Sequence, residues 1–125
     1  MNKALLVIAH GSRRMSSNQE VMQVTERLRQ QLVATHTDYC HIDCAFLELA
    51  EPSIADGISH CLTMDVQHID VLPYFLSAGR HVSEHIPDMI AAQRRCYPDV
   101  SIQILDHLGA AAQMPDLLAS LANTT

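Results

Sequence analysis

Ala4-Leu5-Leu6-Val7-Ile8-Ala9 is an unbroken apolar run. It is too short for a core helix and has no polar alternation, so it reads as a strand buried on both faces. Such a strand needs a neighbour on each side and cover above and below. A parallel sheet between helical layers supplies both. The chain beyond it follows that pattern. After a turn at His10–Arg14, Val21, Val24, Leu28, Leu32 and Val33 recur at helical spacing to about Ala34. Ser16 or Ser17 is placed to cap this helix, and Glu20 lies three residues beyond Ser17, as in a capping box. Cys40–Leu47 alternates at first, like a strand with one wetter side. Glu51-Pro52-Ser53 opens a second helix with Ile54, Ile58, Cys61 and Leu62 as its apolar stripe. Gln67–Phe75 reads as a third strand and Val82 to about Tyr97 as a third helix, with Pro87 near its first turn. Val100–Leu105 alternates again, and Ala110–Ala122 closes the chain as a helix.

Four strand–helix repeats with right-handed crossovers predict an α/β, three-layer fold with a four-stranded parallel sheet and helices on both faces. The alternating second and fourth strands belong at the edges and the more apolar first and third at the centre, which gives the order 2-1-3-4. Residues 1–125 are expected to form one domain, since this length can bury a core without staples. A net charge of −6 argues against a nucleic-acid partner, which selects a basic face. The opening apolar run is too short to span a bilayer, so no membrane association and a cytoplasmic location are expected. Cys40, Cys44, Cys61 and Cys96 form no Cys-x-x-Cys pair and read as reduced, mostly buried thiols.

In the order 2-1-3-4 the switch point lies between the first and third strands, and ligands dock there beyond the carboxyl ends. The first strand ends in His10-Gly11-Ser12-Arg13 and the third in Leu76-Ser77-Ala78-Gly79-Arg80-His81. A lone histidine in a turn is more often bonded to nearby backbone; a second at the neighbouring exit favours a shared site for a metal ion or a proton. The small residues Ser77, Ala78 and Gly79 let a flat ligand approach the backbone. Glu48 stands at the exit of the second strand. His85 lies four residues after His81, the helical spacing for a shared ion, although Pro87 leaves a solvent-facing His85 equally open. His36, His41, His60, His68 and His107 lack such a setting and read as surface or packing residues. Arg13, Arg14 and Arg80 flank the proposed mouth and favour a polyanionic ligand. No Gly-x-Gly-x-x-Gly, Gly-Lys-Ser/Thr or Gly-x-Ser-x-Gly motif is present, so neither a nucleotide nor a hydrolase nucleophile is expected.

Ala9-His10-Gly11-Ser12-Arg13, Phe46-Leu47-Glu48 with Pro52-Ser53-Ile54, and Leu72-Pro73-Tyr74-Phe75-Leu76 with Gly79-Arg80-His81-Val82 and Ile86-Pro87 together resemble the class II tetrapyrrole chelatases. The similarity is closest to the short, single-domain sirohydrochlorin cobaltochelatases and covers essentially the whole chain. It implies insertion of Co²⁺ into sirohydrochlorin in cobalamin biosynthesis, with release of two protons. Fe²⁺ (for sirohaem) and Ni²⁺ are the alternative ions, and a non-catalytic metal or tetrapyrrole carrier is the alternative of another class. The resemblance implies His10 and His81 as metal ligands and catalytic groups, with Glu48 orienting a histidine or taking the second proton. Glu48, Leu76, Ser77, Ala78, Gly79, Arg80 and Arg13 would contact the ring. No cofactor beyond the divalent metal substrate is expected. Longer members carry two such domains, so a homodimer is implied here. Relatives usually have an aspartate before the Ile-Pro, where this chain has His85.

Overall fold

The computed structural model describes residues 2–35 and 37–124. His36 lies outside the described residues. The elements run β1 (Lys3–Ala9), α1 (Met15–Ala34), β2 (Tyr39–Phe46), α2 (Ile54–Leu62), β3 (His68–Pro73), a wide helical turn (His81–His85) continuous with α3 (Ile86–Cys96), β4 (Ser101–Ile104), a short 3₁₀ turn (Leu108–Ala110) and α4 (Met114–Ala122). All strand pairs are parallel, in the order β2-β1-β3-β4. The expected α/β fold and strand order therefore hold, because the two most apolar strands can be satisfied only at the centre.

Alternate residues of β1 face opposite layers. Ala4, Leu6 and Ile8 join Ile54, Ile58, Ile86 and Ile90 under α2 and α3. Val7 and Ala9 join Cys44, Phe46, Val21 and Leu28 under α1. Each of these large side chains contributes about 1.5–3 kcal/mol when fully removed from water. Ile8 lies opposite Ala45 on one side and Pro73 on the other, so the three strands end level with one another.

Several local expectations are corrected. α1 starts at Met15 with Arg14 at the N-cap and no side-chain cap, so Ser16, Ser17 and Glu20 form no capping box. Both serines lie inside the first turn of α1, past the N-cap position. The buried face of α1 runs through Asn18, Val21, Thr25 and Leu28; Val24 and Val33 lie off it and are exposed. Ser53, not Pro52, ends the second loop, its hydroxyl accepting from Asp56 N–H at 3.1 Å as N-cap of α2. The last helix begins at Met114 rather than Ala110, because Gly109 is drawn onto the β3 exit loop by a 3.0 Å bond from its N–H to the Phe75 carbonyl. Cys44 and Cys61 are buried, but Cys40 and Cys96 are exposed, so only half the thiols are interior. Among the described residues no helix is long and apolar enough to cross a membrane.

Candidate active site at the strand exits

Three strand exits meet on one edge of the molecule. The β1 exit turns through Gly11 at φ +95°, a left-handed conformation that glycine adopts freely. A Cβ at this position would overlap the Glu48 carbonyl oxygen, so glycine also lets the β2 exit close in. The turn is clamped from α1: the buried Asn18 side chain accepts from Ser12 N–H at 2.9 Å and donates to Ser12 C=O at 2.8 Å. Sequence reading missed Asn18; a polar residue on the inward face of an otherwise aliphatic helix was the available signal.

The ladder between β1 and β2 continues past the strands. Leu47 N–H donates to Ala9 C=O at 2.9 Å and Glu48 N–H to His10 C=O at 3.1 Å. These bonds set the two side chains beside each other, and Glu48 Oε1 lies 3.1 Å from His10 Nε2. The next residue, Leu49, is held at φ +64°, a left-handed conformation that costs a non-glycine residue about 1–2 kcal/mol. Strain of this kind persists where the surroundings over-determine the backbone.

At the β3 exit, Tyr74 N–H donates to Ile8 C=O at 2.7 Å. Beyond it, Gly109 supports the loop from beneath, since a Cβ there would overlap the Leu76 carbonyl. Leu76, Ser77, Ala78, Gly79 and Arg80 are all exposed. A Cβ built on Gly79 would meet nothing within 4 Å, so no part of the protein requires a small residue there. The chain then enters a turn in which Ile86 N–H bonds the His81 carbonyl five residues back, a π-type widening. Pro87, which has no N–H, follows within the first turn of α3.

That widening brings His85 beside His81, with the two Nδ1 atoms 2.9 Å apart. Of the two orientations left open by sequence, the structure has His85 turned toward His81. The His10 and His81 rings meet at the switch point, in contact with centroids 4.6 Å apart and planes tilted by 47°. Phe75 stands behind His81 at 6.4 Å. The structure thus brings His10, Glu48, His81 and His85 together. Arg80 is apart from them on the exposed helix start, its Nε 3.4 Å from Glu84 Oε2. Arg13 lines a hollow of about 310 Å³ with Ser12, Asn18, Met22 and Leu49.

Chemically, imidazoles from two exits offer nitrogen donors to a divalent ion, and so few protein ligands leave coordination positions open. His10 Nε2 lies near the Glu48 carboxylate, and an imidazole nitrogen of His10 can bind an ion or accept a proton. At the His81–His85 contact one Nδ1 donates and the other accepts. Entry of an ion there requires a change of tautomer or loss of the shared hydrogen.

The other histidines have separate surroundings. His68 Nε2 lies 2.7 Å from Asp70 Oδ1 at the amino end of the sheet. His107 is half-buried before the 3₁₀ turn. His41 packs against His60 with ring centroids 5.3 Å apart. Burial pushes the His41 imidazole down from its ordinary pKa, against the opposing pull of Asp43.

The CbiX family model matches residues 4–125. The chain is 32% identical over 105 residues to the chloroplastic sirohydrochlorin ferrochelatase of Arabidopsis thaliana, covering 84% of this chain and 44% of that protein. It is 29% identical over 90 residues to the sirohydrochlorin cobaltochelatase of Methanopyrus kandleri, covering 72% of this chain and 59% of that one. The sirohydrochlorin chelatase SirB from Bacillus subtilis subspecies spizizenii, solved in complex with cobalt, superposes with a TM-score of 0.83 at 28% identity, over 96% of this chain and 49% of that chain. The chain therefore spans about half the length of these relatives.

Proposed function

Because the chain belongs to the CbiX family, we propose that it is a sirohydrochlorin chelatase and that it inserts Co²⁺, as in cobalamin biosynthesis. The observation that carries this reading is the meeting of His10 and His81, from two strand exits, at 4.6 Å at the switch point. An ion held between rings from two strand exits faces solvent, where a planar macrocycle can reach it.

The reaction exchanges two pyrrole N–H protons for one divalent ion and releases both protons. His10 and His81 hold the ion as it loses water. Glu48, 3.1 Å from His10 Nε2, orients the His10 ring, the usual effect of a carboxylate behind a metal-facing imidazole. As the ion passes to the pyrrole nitrogens, His10 is freed to accept one proton, and the Glu48 carboxylate, 3.1 Å away, takes the second. Leu76, Ser77, Ala78 and Gly79 form an open ledge for the ring, and Gly79 leaves space above its backbone. Arg80 and Arg13 pair with peripheral carboxylates.

Once the hydrogen shared with His81 is lost, His85 adds a nitrogen donor, and such sets bind Co²⁺, and Ni²⁺ still more, in preference to Fe²⁺. Iron is the second reading, favoured by the 32% identity to a ferrochelatase. We also place a second copy of the chain against α4, whose Leu117, Leu118 and Leu121 are exposed apolar side chains. Sedimentation at micromolar concentration tests that pairing, and a monomer removes it.

The deciding experiment is anaerobic steady-state insertion into sirohydrochlorin with Co²⁺, Fe²⁺ and Ni²⁺ side by side. Cobalt product accumulating far beyond the protein concentration is expected. Product limited to one equivalent makes the chain a carrier, and a clear preference for Fe²⁺ transfers the assignment to sirohaem synthesis.

A further inference from the structure

We propose that His41, Asp43 and His60 form a second metal-binding site, away from the crevice, that takes a divalent first-row transition ion. His41 and Asp43 are two residues apart on β2, so both side chains point to the α2 side of the sheet. His60, on the last turn of α2, meets them there. One donor atom from each of the three lies within 4.8 Å of the others. The inference stands independently of the chelatase reading.

His41 carries the argument. Its Nε2 is fully buried and has no hydrogen-bond partner among the described residues, which buried imidazole nitrogens rarely lack. The nearest carboxylate oxygen, Asp43 Oδ2, lies 3.8 Å away, too far for a hydrogen bond. It is close to the spacing of two donors on one ion, since bonds of about 2.0–2.2 Å at tetrahedral angles separate neighbours by about 3.4 Å. Two imidazoles and one carboxylate suit Zn²⁺, Co²⁺ or Ni²⁺ better than Ca²⁺ or Mg²⁺, which prefer all-oxygen shells. His60 is exposed and Asp43 half-exposed, so an ion has an entry path and keeps a position open to water. The site is separate from the His10–His81 exits: Phe46 at the exit is five positions along β2 from His41, roughly 16 Å at ~3.3 Å per residue.

The test is equilibrium dialysis with Co²⁺ alone on the full chain carrying His10→Ala, His81→Ala and His85→Ala, which removes the crevice imidazoles. About one Co²⁺ per chain should remain bound. Adding His60→Ala, whose exposed ring contributes little packing, should weaken that ion at least about tenfold while the circular dichroism spectrum is unchanged. His41→Ala should do the same, and the His60 variant decides the matter if His41→Ala loosens the fold. A triple variant that binds no Co²⁺, or binds it equally well with and without His60, overturns the second site.

Discussion

The two ends of the sheet bring the same side-chain types together under opposite conditions. At the amino end, Asp70 is 7% exposed and accepts from the Tyr39 hydroxyl at 2.6 Å and from His68 at 2.7 Å, with Lys3 at 3.8 Å. At the carboxyl end, His10 and Glu48 are 42% and 57% exposed and touch at 3.1 Å. A histidine–carboxylate contact therefore says little by itself about chemistry. At Asp70 both carboxylate oxygens have partners and water is largely shut out, so the group stabilises. Burial alone pushes the Asp70 carboxyl up, but the Tyr39, His68 and Lys3 contacts outweigh it and hold the pKa below the ordinary value. The same burial and the neighbouring carboxylate push the Tyr39 phenol up. At the crevice, His10 keeps a nitrogen and Glu48 an oxygen without partners among the described residues, and both reach solvent.

The largest expected effect tests the open end. His10→Ala should lower kcat/KM for cobalt insertion by about 10²–10³-fold, the range for loss of a proton acceptor that also binds the reacting ion. Its urea midpoint should stay within a few tenths of a molar of the parent, since a ring this exposed adds little packing. Turnover within twofold of the parent would erase the distinction between the ends.

Asp70→Asn tests the closed end and should do the reverse. Stability should fall by roughly 2 kcal/mol, the scale of hydrogen bonds to a buried charged group, with kcat/KM unchanged well below the melting point. The pH dependence follows from a folded pKa lower than the unfolded one. The Asp70 contribution is fully present above the ordinary value near 3.8 and is lost as pH falls through the folded value. Urea unfolding at pH 7 and pH 3 should therefore show a smaller drop for Asp70→Asn than for the parent. Equal drops would mean that Asp70 is not the charge being protonated.

This contrast explains which parts of the molecule were legible in the sequence. The sheet order could be read because the apolar pattern of Leu5–Ala9 and Ile69–Leu72 admits only central positions. The meeting of His10 with His81 followed from that order alone. What could not be read depends on geometry that periodicity does not encode. The widened turn at His81–His85 needs a five-residue hydrogen bond, and Pro87 signals only that something there is irregular. Asn18 clamps the turn just before its own helix through a side chain, and Gly109 supports a loop far away in the chain. His68 reads as an ordinary strand residue until Tyr39 and Lys3 are seen to close the cage around Asp70. His41 and His60 are 19 positions apart, and only the packing of α2 on β2 makes them neighbours.

Glu48→Gln gives an intermediate effect. The amide keeps the size of the carboxylate and can still hydrogen-bond His10 Nε2, but it cannot take up a proton. About a tenfold fall in kcat with little change in KM is expected, in line with loss of the partner behind a metal-facing histidine. A Glu48→Gln chain with normal kcat would leave the carboxylate with no more than an orienting role.

The smallest effect separates the cations at the two ends. Lys3 lies over the Tyr39 ring at 5.0 Å and beside Asp70, whereas Arg80 is 76% exposed and, among the described residues, paired only with Glu84 at 3.4 Å. An exposed i,i+4 pair of this kind contributes under 1 kcal/mol to folding, so removing Arg80 should leave stability nearly unchanged. Its guanidinium is free to leave Glu84 for a carboxylate on the ring, and that contact is equally screened. Arg80→Ala should then raise KM about fivefold, the equivalent of ~1 kcal/mol, with kcat unaltered because ground state and transition state lose the contact alike. Salt supplies an independent check. The parent KM should climb as ionic strength rises from about 0.01 to 0.15 M, where the Debye length shrinks from about 30 to 8 Å, and the Arg80→Ala KM should climb less. Parallel salt curves for the two proteins would show that Arg80 does not meet the ring, leaving charge recognition to Arg13 on the α1 side.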